Sequence, residues 1–385
     1  MKPLIHLLFF VVLSATATAS IVPGAERTEL YLPLLEGKRV GILTNQTGRI
    51  GERLTVDSLL ACGVDIRLIF APEHGFRGTA GAGEHVTDDR DPATGLEIVS
   101  LYGKGRMPRA EDISRCDVIL FDLQDVGLRY YTYLSTLYNL MQACAAQDVT
   151  VVVLDRPNPN GMYVDGPILD TAHCRSFVGM VPVPVVHGMT LGELARMING
   201  EGWLPGGSQC DLRVIPCAGY THASRYELPV RPSPNLPNMR SIYLYPSLCY
   251  FEGTPVSVGR GTPFPFQVYG HPDLEGDFQF TPRSMESAPT PPQQDMECHG
   301  RDLRKGVSDE EIIARGIDLS YVVDCWRQIG DDRFFRRMFD LLIGVEWVRP
   351  MIEAGASATA IESRWQEEVK QFRKMRKPYL LYDEE

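Results

Sequence analysis

Two kinds of hydrophobic pattern alternate between residues 38 and 217. Continuous apolar runs, typical of strands buried on both faces, alternate with stretches in which apolar residues recur at helical spacing. The predicted strands are residues 39–45, 65–71, 96–100, 117–122, 150–155, 183–187 and 211–217, and the predicted helices are residues 54–62, 131–147 and 190–199. Thr190 followed by Glu193 predicts a capping box at the start of the third helix. The alternation predicts a Rossmann-like α/β domain with a mostly parallel sheet covered by helices.

The pattern changes after residues 229–237, a proline-dense stretch that marks a domain boundary. Later residues show less regular patterns, with helices predicted at 309–316, 331–343 and 357–375, and residues 281–296 are polar and proline-rich, as in a surface excursion. We therefore predict a Rossmann-like α/β catalytic domain at residues 20–230 and a smaller α+β C-terminal domain at residues 231–385.

The first nineteen residues predict a secretory signal peptide. Lys2 is followed by an apolar run at residues 4–13 and by small residues with Ala-x-Ala spacing at 15–19. The run is shorter than the ~20 residues that a membrane-spanning helix needs. We expect a secreted, periplasmic protein that begins near Ser20, with no membrane span.

Composition narrows the possible functions. The chain has 385 residues, 44% hydrophobic and 23% charged, as in an ordinary folded protein. Its net charge of −11 offers no basic surface for nucleic acid. No Gly-x-Gly has the third glycine of a dinucleotide site, and Walker A and Gly-x-Ser-x-Gly motifs are absent, so we expect no cofactor and no α/β-hydrolase.

Nine cysteines occur without a CxxC pair or a Cys/His cluster, so we expect no metal site. Cys210 with Cys217, or Cys298 with Cys325, could form a disulfide in an oxidising compartment, and the sequence does not decide between free and paired thiols.

Polar side chains gather where the predicted strands end, the edge at which open parallel sheets bind ligands. They are Glu73, His74 and Arg77 after residues 65–71, Asp125 and Arg129 after 117–122, Asp155 after 150–155, and His187 after 183–187. Pro72 and Gly75 predict a tight turn that presents Glu73, and Glu84 lies on a glycine-rich loop that can fold back. A close pair of carboxylates is what most glycosidases use, so Glu73 and Glu84 are the candidate catalytic residues.

Each candidate also has a structural interpretation. Glu73 could cap its turn or form a salt bridge, and Glu84 could be a solvated loop acid. His74 and His187 suit hydrogen bonding better than metal binding. Asp155 could only hold the loop that follows it, and Arg129 could pair with Asp122 or Asp125. Glu252 and Arg260, among small residues, could contact a ligand or pair with each other.

Seven short segments together identify a family resemblance. They are Pro-Glu-His-Gly-Phe-Arg-Gly at 72–78, Phe-Asp-Leu-Gln-Asp-Val-Gly at 121–127, Leu-Asp-Arg-Pro-Asn-Pro at 154–159, Gly-Pro at 166–167, His-Gly-Met-Thr at 187–190, Ser-Pro-Asn-Leu-Pro at 233–237, and Glu-Gly-Thr with Gly-Arg-Gly at 252–261. In this order they resemble the NamZ-type exo-β-N-acetylmuramidases, formerly a domain family of unknown function. The resemblance runs from about residue 30 to residue 382.

The resemblance implies a glycoside hydrolase that releases terminal N-acetylmuramic acid from the non-reducing end of peptidoglycan fragments, in a cleft between the two domains. Glu73 and Glu84 match the family's glutamates, and Asp165 stands where relatives often have glutamate. The implied substrate-binding residues are His74, Arg77, Asp125, Arg129, Asp155, Asp165, His187, Asn235, Glu252 and Arg260. Arg77, Arg129 and Arg260 are candidates for the lactyl carboxylate, because an arginine can bind a carboxylate through two hydrogen bonds.

A non-catalytic periplasmic sugar or muropeptide binding protein is the alternative class. Such proteins usually have two similar lobes, whereas the two halves here differ in pattern, which favours the enzyme. The sequence does not indicate the oligomeric state.

Overall fold

The computed structural model describes residues 20–73, 75–76, 89–101, 103 and 106–385. The strands of the N-terminal domain are β1 (Val40–Thr44), β2 (Arg49–Ile50), β3 (Arg53–Leu54), β4 (Ile66–Ala71), β5 (Asp89–Arg90), β6 (Glu97–Ser100), β7 (Val118–Asp122), β8 (Thr150–Leu154) and β9 (Leu212–Ile215). Its helices are α1 (Thr28–Leu35), α2 (Thr55–Ala61), α3 (Ala110–Ile113), α4 (Tyr133–Ala145) and α5 (Leu191–Gly200). The predicted elements are thus present within a few residues, with one exception described below.

The main sheet has the strand order β5-β6-β4-β1-β7-β8-β9. All neighbouring pairs are parallel except β5 with β6, so the predicted Rossmann-like, mostly parallel sheet is confirmed. From β1 the chain builds outwards on one side through β4 and β6, and then on the other through β7, β8 and β9. Ligands of open α/β sheets bind at such a switch point, outside the carboxyl ends of the central strands.

Both faces of the sheet are buried, which explains the continuous apolar runs. In β1, Ile42 belongs to a cluster with Tyr31 of α1 and Leu59 of α2. The next residue, Leu43, belongs to the larger cluster on the other face, which includes Leu137 of α4. Because successive side chains of a strand point to opposite faces, a sheet covered by helices on both sides needs apolar residues at every position.

Residues 183–187 do not form the predicted strand. Val186 makes only isolated antiparallel bridges with Leu128 and Asp165. Pro182 and Pro184 supply no N–H groups, so this segment cannot form a continuous ladder. Its apolar side chains are nevertheless buried, because the segment runs through the core rather than along the sheet.

The C-terminal domain combines a three-stranded antiparallel sheet with helices, as predicted for an α+β domain. Its strands, in the order β10-β12-β11, are β10 (Val268–His271), β11 (Phe278–Phe280) and β12 (Cys298–Asp302). Its helices are α6 (Met239–Leu248), α7 (Asp309–Arg315), α8 (Ser320–Ile329), α9 (Arg337–Ile343), α10 (Val348–Glu353), α11 (Ala358–Arg364) and α12 (Gln366–Met375).

The single helix predicted at residues 357–375 is divided at Trp365 into α11 and α12. Trp365 is fully buried, and its indole N–H donates to Asp165 of the N-terminal domain at 2.8 Å. The helix predicted from residue 331 begins only at Arg337. The residues before it form a turn, in which Phe334 and Phe335 pack against Trp326 of α8.

The chain ends on the N-terminal domain. The Tyr382 hydroxyl donates to Asp155 at 2.6 Å, and the Leu381 N–H donates to Glu193 at 2.7 Å. All nine cysteines are free, so neither disulfide that the sequence left open is formed. In the described part of the chain, no helix has the length and apolar character needed to cross a membrane.

Candidate active site

A cavity of about 460 Å³ lies between the two domains, at the carboxyl edge of the sheet. The N-terminal domain contributes Glu73, Arg106 and residues 130–133 to its lining, and the C-terminal domain contributes Tyr245, Cys249, Glu252, Arg260, Phe266 and Met338. A second cavity of about 400 Å³ is lined by residues 287–292 and shares Glu73, Glu252 and Arg260 with the first. These three side chains therefore lie where the two cavities meet.

Glu73 follows β4 and lies in the turn that the sequence predicts. The Gly75 N–H donates to the Pro72 carbonyl at 3.1 Å, and Gly75 has φ of +75°, a conformation that favours glycine. The Glu73 carboxylate is half-buried and accepts a hydrogen bond from the Thr132 hydroxyl at 2.9 Å. The turn thus presents the carboxylate to the cavity, and Thr132 fixes its direction.

Tyr133 lies beside Glu73. Its hydroxyl is bound by Asn45, which follows β1, the strand next to β4. Its hydroxyl accepts from the Asn45 side chain at 2.6 Å, and Asn45 in turn accepts from the Thr47 hydroxyl at 2.6 Å. Burial, together with the charge of Glu73, raises the pKa of Tyr133 above its usual range. Tyr133 is therefore a neutral hydroxyl in the cavity wall.

Glu252 and Arg260 form an ion pair in the wall of both cavities. Arg260 donates from Nε at 2.9 Å and from Nη2 at 2.6 Å, both to Oε1 of Glu252. Among the described residues, Oε2 of Glu252 accepts only from the thiol of Cys249, at 3.5 Å. From the sequence, these two residues could either contact a ligand or pair with each other. In the structure they pair with each other, and the pair lines both cavities.

Asn235 lines the first cavity. Its side-chain amide N–H donates to the Ser287 carbonyl at 2.9 Å. Its Oδ1 atom has no hydrogen-bond partner among the described residues, but the atom itself is buried and is not exposed to the cavity. The bond to Ser287 therefore connects the cavity wall to the segment that contains residue 287.

Arg129 is completely buried and lies outside the lining of both cavities. Its guanidinium donates to four backbone carbonyls at 2.8–3.0 Å, those of Pro167, Val183, Leu342 and Ile343. It pairs with neither of the carboxylates that the sequence suggested. Arg129 therefore ties the N-terminal domain to the end of α9, whose residues Met338, Leu341 and Leu342 line the cavity.

Asp155, which is buried, and Asp165, which is half-buried, also lie away from the cavities. Asp155 accepts from the Thr190 hydroxyl, the Gly192 N–H and the Tyr382 hydroxyl at 2.6–2.8 Å. Asp165 accepts from the Ile317 N–H at 2.9 Å and from the Trp365 indole at 2.8 Å. Both carboxylates hold separate parts of the chain together, so the shorter side chain of Asp165 serves a structural contact.

His187 and Asp125 are buried without lining either cavity. The Nδ1 atom of His187 accepts from the Met189 N–H at 3.2 Å, and burial with the nearby Arg376 and Arg129 lowers the pKa of His187 to about 3. Asp125 accepts from the Gly127 N–H at 2.6 Å, and burial raises the pKa of Asp125 to about 7. A neutral, enclosed His187 is suited to structure rather than to ligand binding.

Three predicted site residues, His74, Arg77 and Glu84, lie outside the described residues, as do residues 1–19 of the predicted signal peptide. Within the ranges that the structure describes, no three His, Cys, Asp or Glu side chains come together in a way that could hold a metal ion.

Several cavity residues were not predicted from the sequence. Arg106 follows β6, a strand end at which the sequence analysis named no candidate, and its guanidinium lies over the ring of Phe177, 4.4 Å from the ring centre. Met338, Leu341 and Leu342 have the spacing of an apolar helix face, which usually indicates a core. Only the meeting of two domains turns that face into a cavity wall.

Comparisons with known proteins agree on one family. The family model described as exo-β-N-acetylmuramidase NamZ matches this chain in two parts, the N-terminal model over residues 40–240 and the C-terminal model over residues 243–382. The peptidoglycan β-N-acetylmuramidase NamZ of Bacillus subtilis is 36% identical over 372 residues, which cover 91% of this chain and 89% of that protein.

Two crystal structures from Bacteroides fragilis, each described as a protein of the family of unknown function DUF1343, have the same fold. One is 51% identical, with a TM-score of 0.88 over 95% of this chain and 99% of the other. The second is 29% identical, with a TM-score of 0.77 over 94% of this chain and 99% of the other. Together with the two-part match and the cleft between the domains, these similarities mean that the chain belongs to the NamZ family of exo-β-N-acetylmuramidases.

Proposed function

We propose that this protein is a peptidoglycan glycosidase that removes terminal N-acetylmuramic acid from the non-reducing end of peptidoglycan fragments. The observation that carries the proposal is the position of Glu73, a half-buried carboxylate where two cavities meet in a chain of the NamZ family. The first cavity, of about 460 Å³, has the size of a small-ligand site, so it suits a terminal sugar better than a long glycan strand.

In this proposal the terminal sugar occupies the first cavity and the departing saccharide occupies the second. The scissile bond then lies where the cavities meet, and Glu73 is the general acid that protonates the glycosidic oxygen. Tyr131 and Phe266 supply apolar surface for the sugar ring, and Asn235 is a polar residue of the same wall.

In most glycosidases a second carboxylate acts at the anomeric carbon, as a nucleophile or as the base that activates water, and in substrate-assisted enzymes the N-acetyl group of the sugar acts there instead. We assign this role to Glu84 from its match to the family glutamate. Glu252 shares the cavity with Glu73, but Arg260 compensates its charge through two hydrogen bonds to one oxygen. We therefore assign Glu252 and Arg260 to positioning the substrate where the cavities meet.

The experiment that tests the function uses defined peptidoglycan oligosaccharides and mass spectrometry of the products. A fragment with N-acetylmuramic acid at its non-reducing end is expected to lose that sugar as a free monosaccharide. The same fragment capped by N-acetylglucosamine at this end is the control and should remain intact. Internal cleavage of either fragment would contradict exo action, and binding without any product would indicate the non-catalytic alternative.

We also propose that the protein is exported to the periplasm, where such fragments are present. The support is the predicted signal peptide at residues 1–19. Fractionation of the source cells followed by N-terminal sequencing should find a mature chain that starts near Ser20. A chain that keeps Lys2 in the cytoplasmic fraction would contradict this.

A further inference from the structure

Arg106 is a cation of the first cavity that forms no ion pair with a carboxylate of the described residues. Its side chain is exposed towards the cavity, and its guanidinium lies 4.4 Å from the centre of the Phe177 ring. Among the described residues it forms no ion pair and no side-chain hydrogen bond. The ring orients the planar group without occupying its N–H donors, which therefore remain available to a ligand.

The charges of the cavity support an anionic ligand. Arg260 and Glu252 compensate each other at 2.6 Å. Apart from Glu73, the proposed general acid, Arg106 is the remaining ionisable group with a formal charge among the described residues that line this cavity. The protein as a whole has a net charge of −11, so its long-range field repels anions, and attraction has to come from a local cation.

We propose that Arg106 binds the lactyl carboxylate of terminal N-acetylmuramic acid and thereby selects this sugar over N-acetylglucosamine. The inference rests on the proposed function, because it assumes that the first cavity holds the terminal sugar. The lactyl ether is the group that distinguishes the two sugars, and its carboxylate can accept two parallel N–H bonds from one guanidinium.

The other arginines of this region are less suited to the role. Arg129 donates to four backbone carbonyls in the interior, and Arg260 is paired with Glu252. Arg336 lines the second cavity, where the proposed function places the departing saccharide. Among the arginines that the structure describes, Arg106 alone combines an unpaired guanidinium with a position in the first cavity.

The test compares three substrates with the same aryl leaving group. They are a β-N-acetylmuramide with a free lactyl carboxylate, its lactyl methyl ester, and the corresponding β-N-acetylglucosaminide. The ester keeps the bulk of the lactyl group and removes its charge. The variants are Arg106→Met, which keeps the aliphatic length, and Arg106→Lys, which keeps the charge but not the two-pronged geometry.

Arg175→Met is the matched control. Arg175 is exposed, its guanidinium lies over the Tyr138 ring at 5.4 Å and donates to the hydroxyl of that ring at 2.8 Å, and it lines neither cavity. It therefore reports the effect of removing a nearby arginine from an aromatic ring. Melting curves of all variants check that they fold.

We expect Arg106→Met to lower kcat/KM for the free acid about 10- to 100-fold, as for the loss of a hydrogen-bonded charge pair, with little change for the ester. Arg106→Lys should lose less, and Arg175→Met should behave as wild type. An unchanged ratio of acid to ester in Arg106→Met would overturn the inference, as would an equal loss on all three substrates. Failure of the wild-type protein on the muramide would instead overturn the proposed function itself.

Discussion

Asp125 illustrates how single residues next to the site act on stability rather than on ligands. It follows β7, and its Oδ1 atom is buried without a hydrogen-bond partner among the described residues. Burial raises the pKa of Asp125 to about 7, although the N–H groups of Gly127 and Val126 favour the charged form. In the unfolded chain the same carboxyl titrates near ~4. The folded protein therefore holds this proton more tightly than the unfolded chain.

Because the pKa of Asp125 is higher in the folded protein than in the unfolded chain, the protein loses stability when this carboxyl ionises. Asp125 contributes its stability in full below pH ~4, and the contribution is lost as the pH rises from about 4 through about 7. Asp125→Asn should consequently stabilise the protein by about 2–4 kcal/mol at pH 8 and by much less at pH 4. Thermal unfolding at both pH values measures this change.

Asp117→Asn is the control for the Asp125 prediction. Hydrogen bonds from Arg39 lower the pKa of Asp117 to about 2, so this carboxyl is charged throughout the tested range. The difference between Asp117→Asn and wild type should thus be nearly the same at pH 4 and pH 8. If the stability difference between Asp125→Asn and wild type were also the same at pH 4 and pH 8, Asp125 would not have the raised pKa that the prediction requires.

At the level of elements, the start of α5 depends on a capping box joined to a buried carboxylate. Thr190 accepts from the Glu193 N–H at 3.3 Å, Glu193 accepts from the Thr190 N–H at 2.9 Å, and the Thr190 hydroxyl donates to Asp155 at 2.7 Å. The sequence predicted the capping box, but the bond to Asp155 required the tertiary structure. The sequence instead placed Asp155 among the substrate-binding residues.

Thr190→Ala should cost more stability than Ser308→Ala, which removes the cap of α7 in an exposed capping box. The loss of a cap costs about 1 kcal/mol in either helix. Thr190→Ala also removes a donor from the buried Asp155, which adds about 1–3 kcal/mol. Urea unfolding of both variants measures the difference, and equal losses would mean that the bond to Asp155 contributes nothing.

The sequence predicted the helices and strands better than it predicted which polar residues line the cavities. Glu73 was found because Pro72 and Gly75 define its turn locally. Arg129 and Asp155 have the same kind of position in the sequence, but their partners lie up to about 230 residues away, as the bond between Asp155 and Tyr382 illustrates. A polar residue at a strand end serves either the cleft or the interior, and only the tertiary structure distinguishes the two.

At the scale of the whole molecule, buried contacts join the two domains at several places outside the cavities. Arg129 reaches the carbonyls at the end of α9, Asp165 binds Trp365, and the final residues pack on the N-terminal domain through Tyr382. Each contact satisfies a buried polar group of one domain with a group from the other. The cleft is therefore held by both domains together, and we expect one cooperative unfolding transition in calorimetry.

Tyr382→Phe tests this coupling between the domains. The change leaves Asp155 without a donor that lies at 2.6 Å, so the stability should fall by about 1–3 kcal/mol. Activity should not change, because Tyr382 lies outside both cavities. Tyr379→Phe is the control, since its hydroxyl donates to Glu201 at the surface, and it should change stability by less than ~1 kcal/mol. Two separate transitions in the wild-type protein would contradict the coupling.

The role of Glu73 as the general acid is tested most directly by the hydrolysis rate of Glu73→Gln on two muramides, one with N-acetylglucosamine as leaving group and one with a nitrophenolate. A general acid matters most when the leaving oxygen is basic. The account therefore predicts a loss of at least about 10²-fold in kcat on the disaccharide and a much smaller loss on the nitrophenyl substrate, with an unchanged melting temperature. A rate close to wild type on the disaccharide would contradict the assignment of Glu73 as the acid.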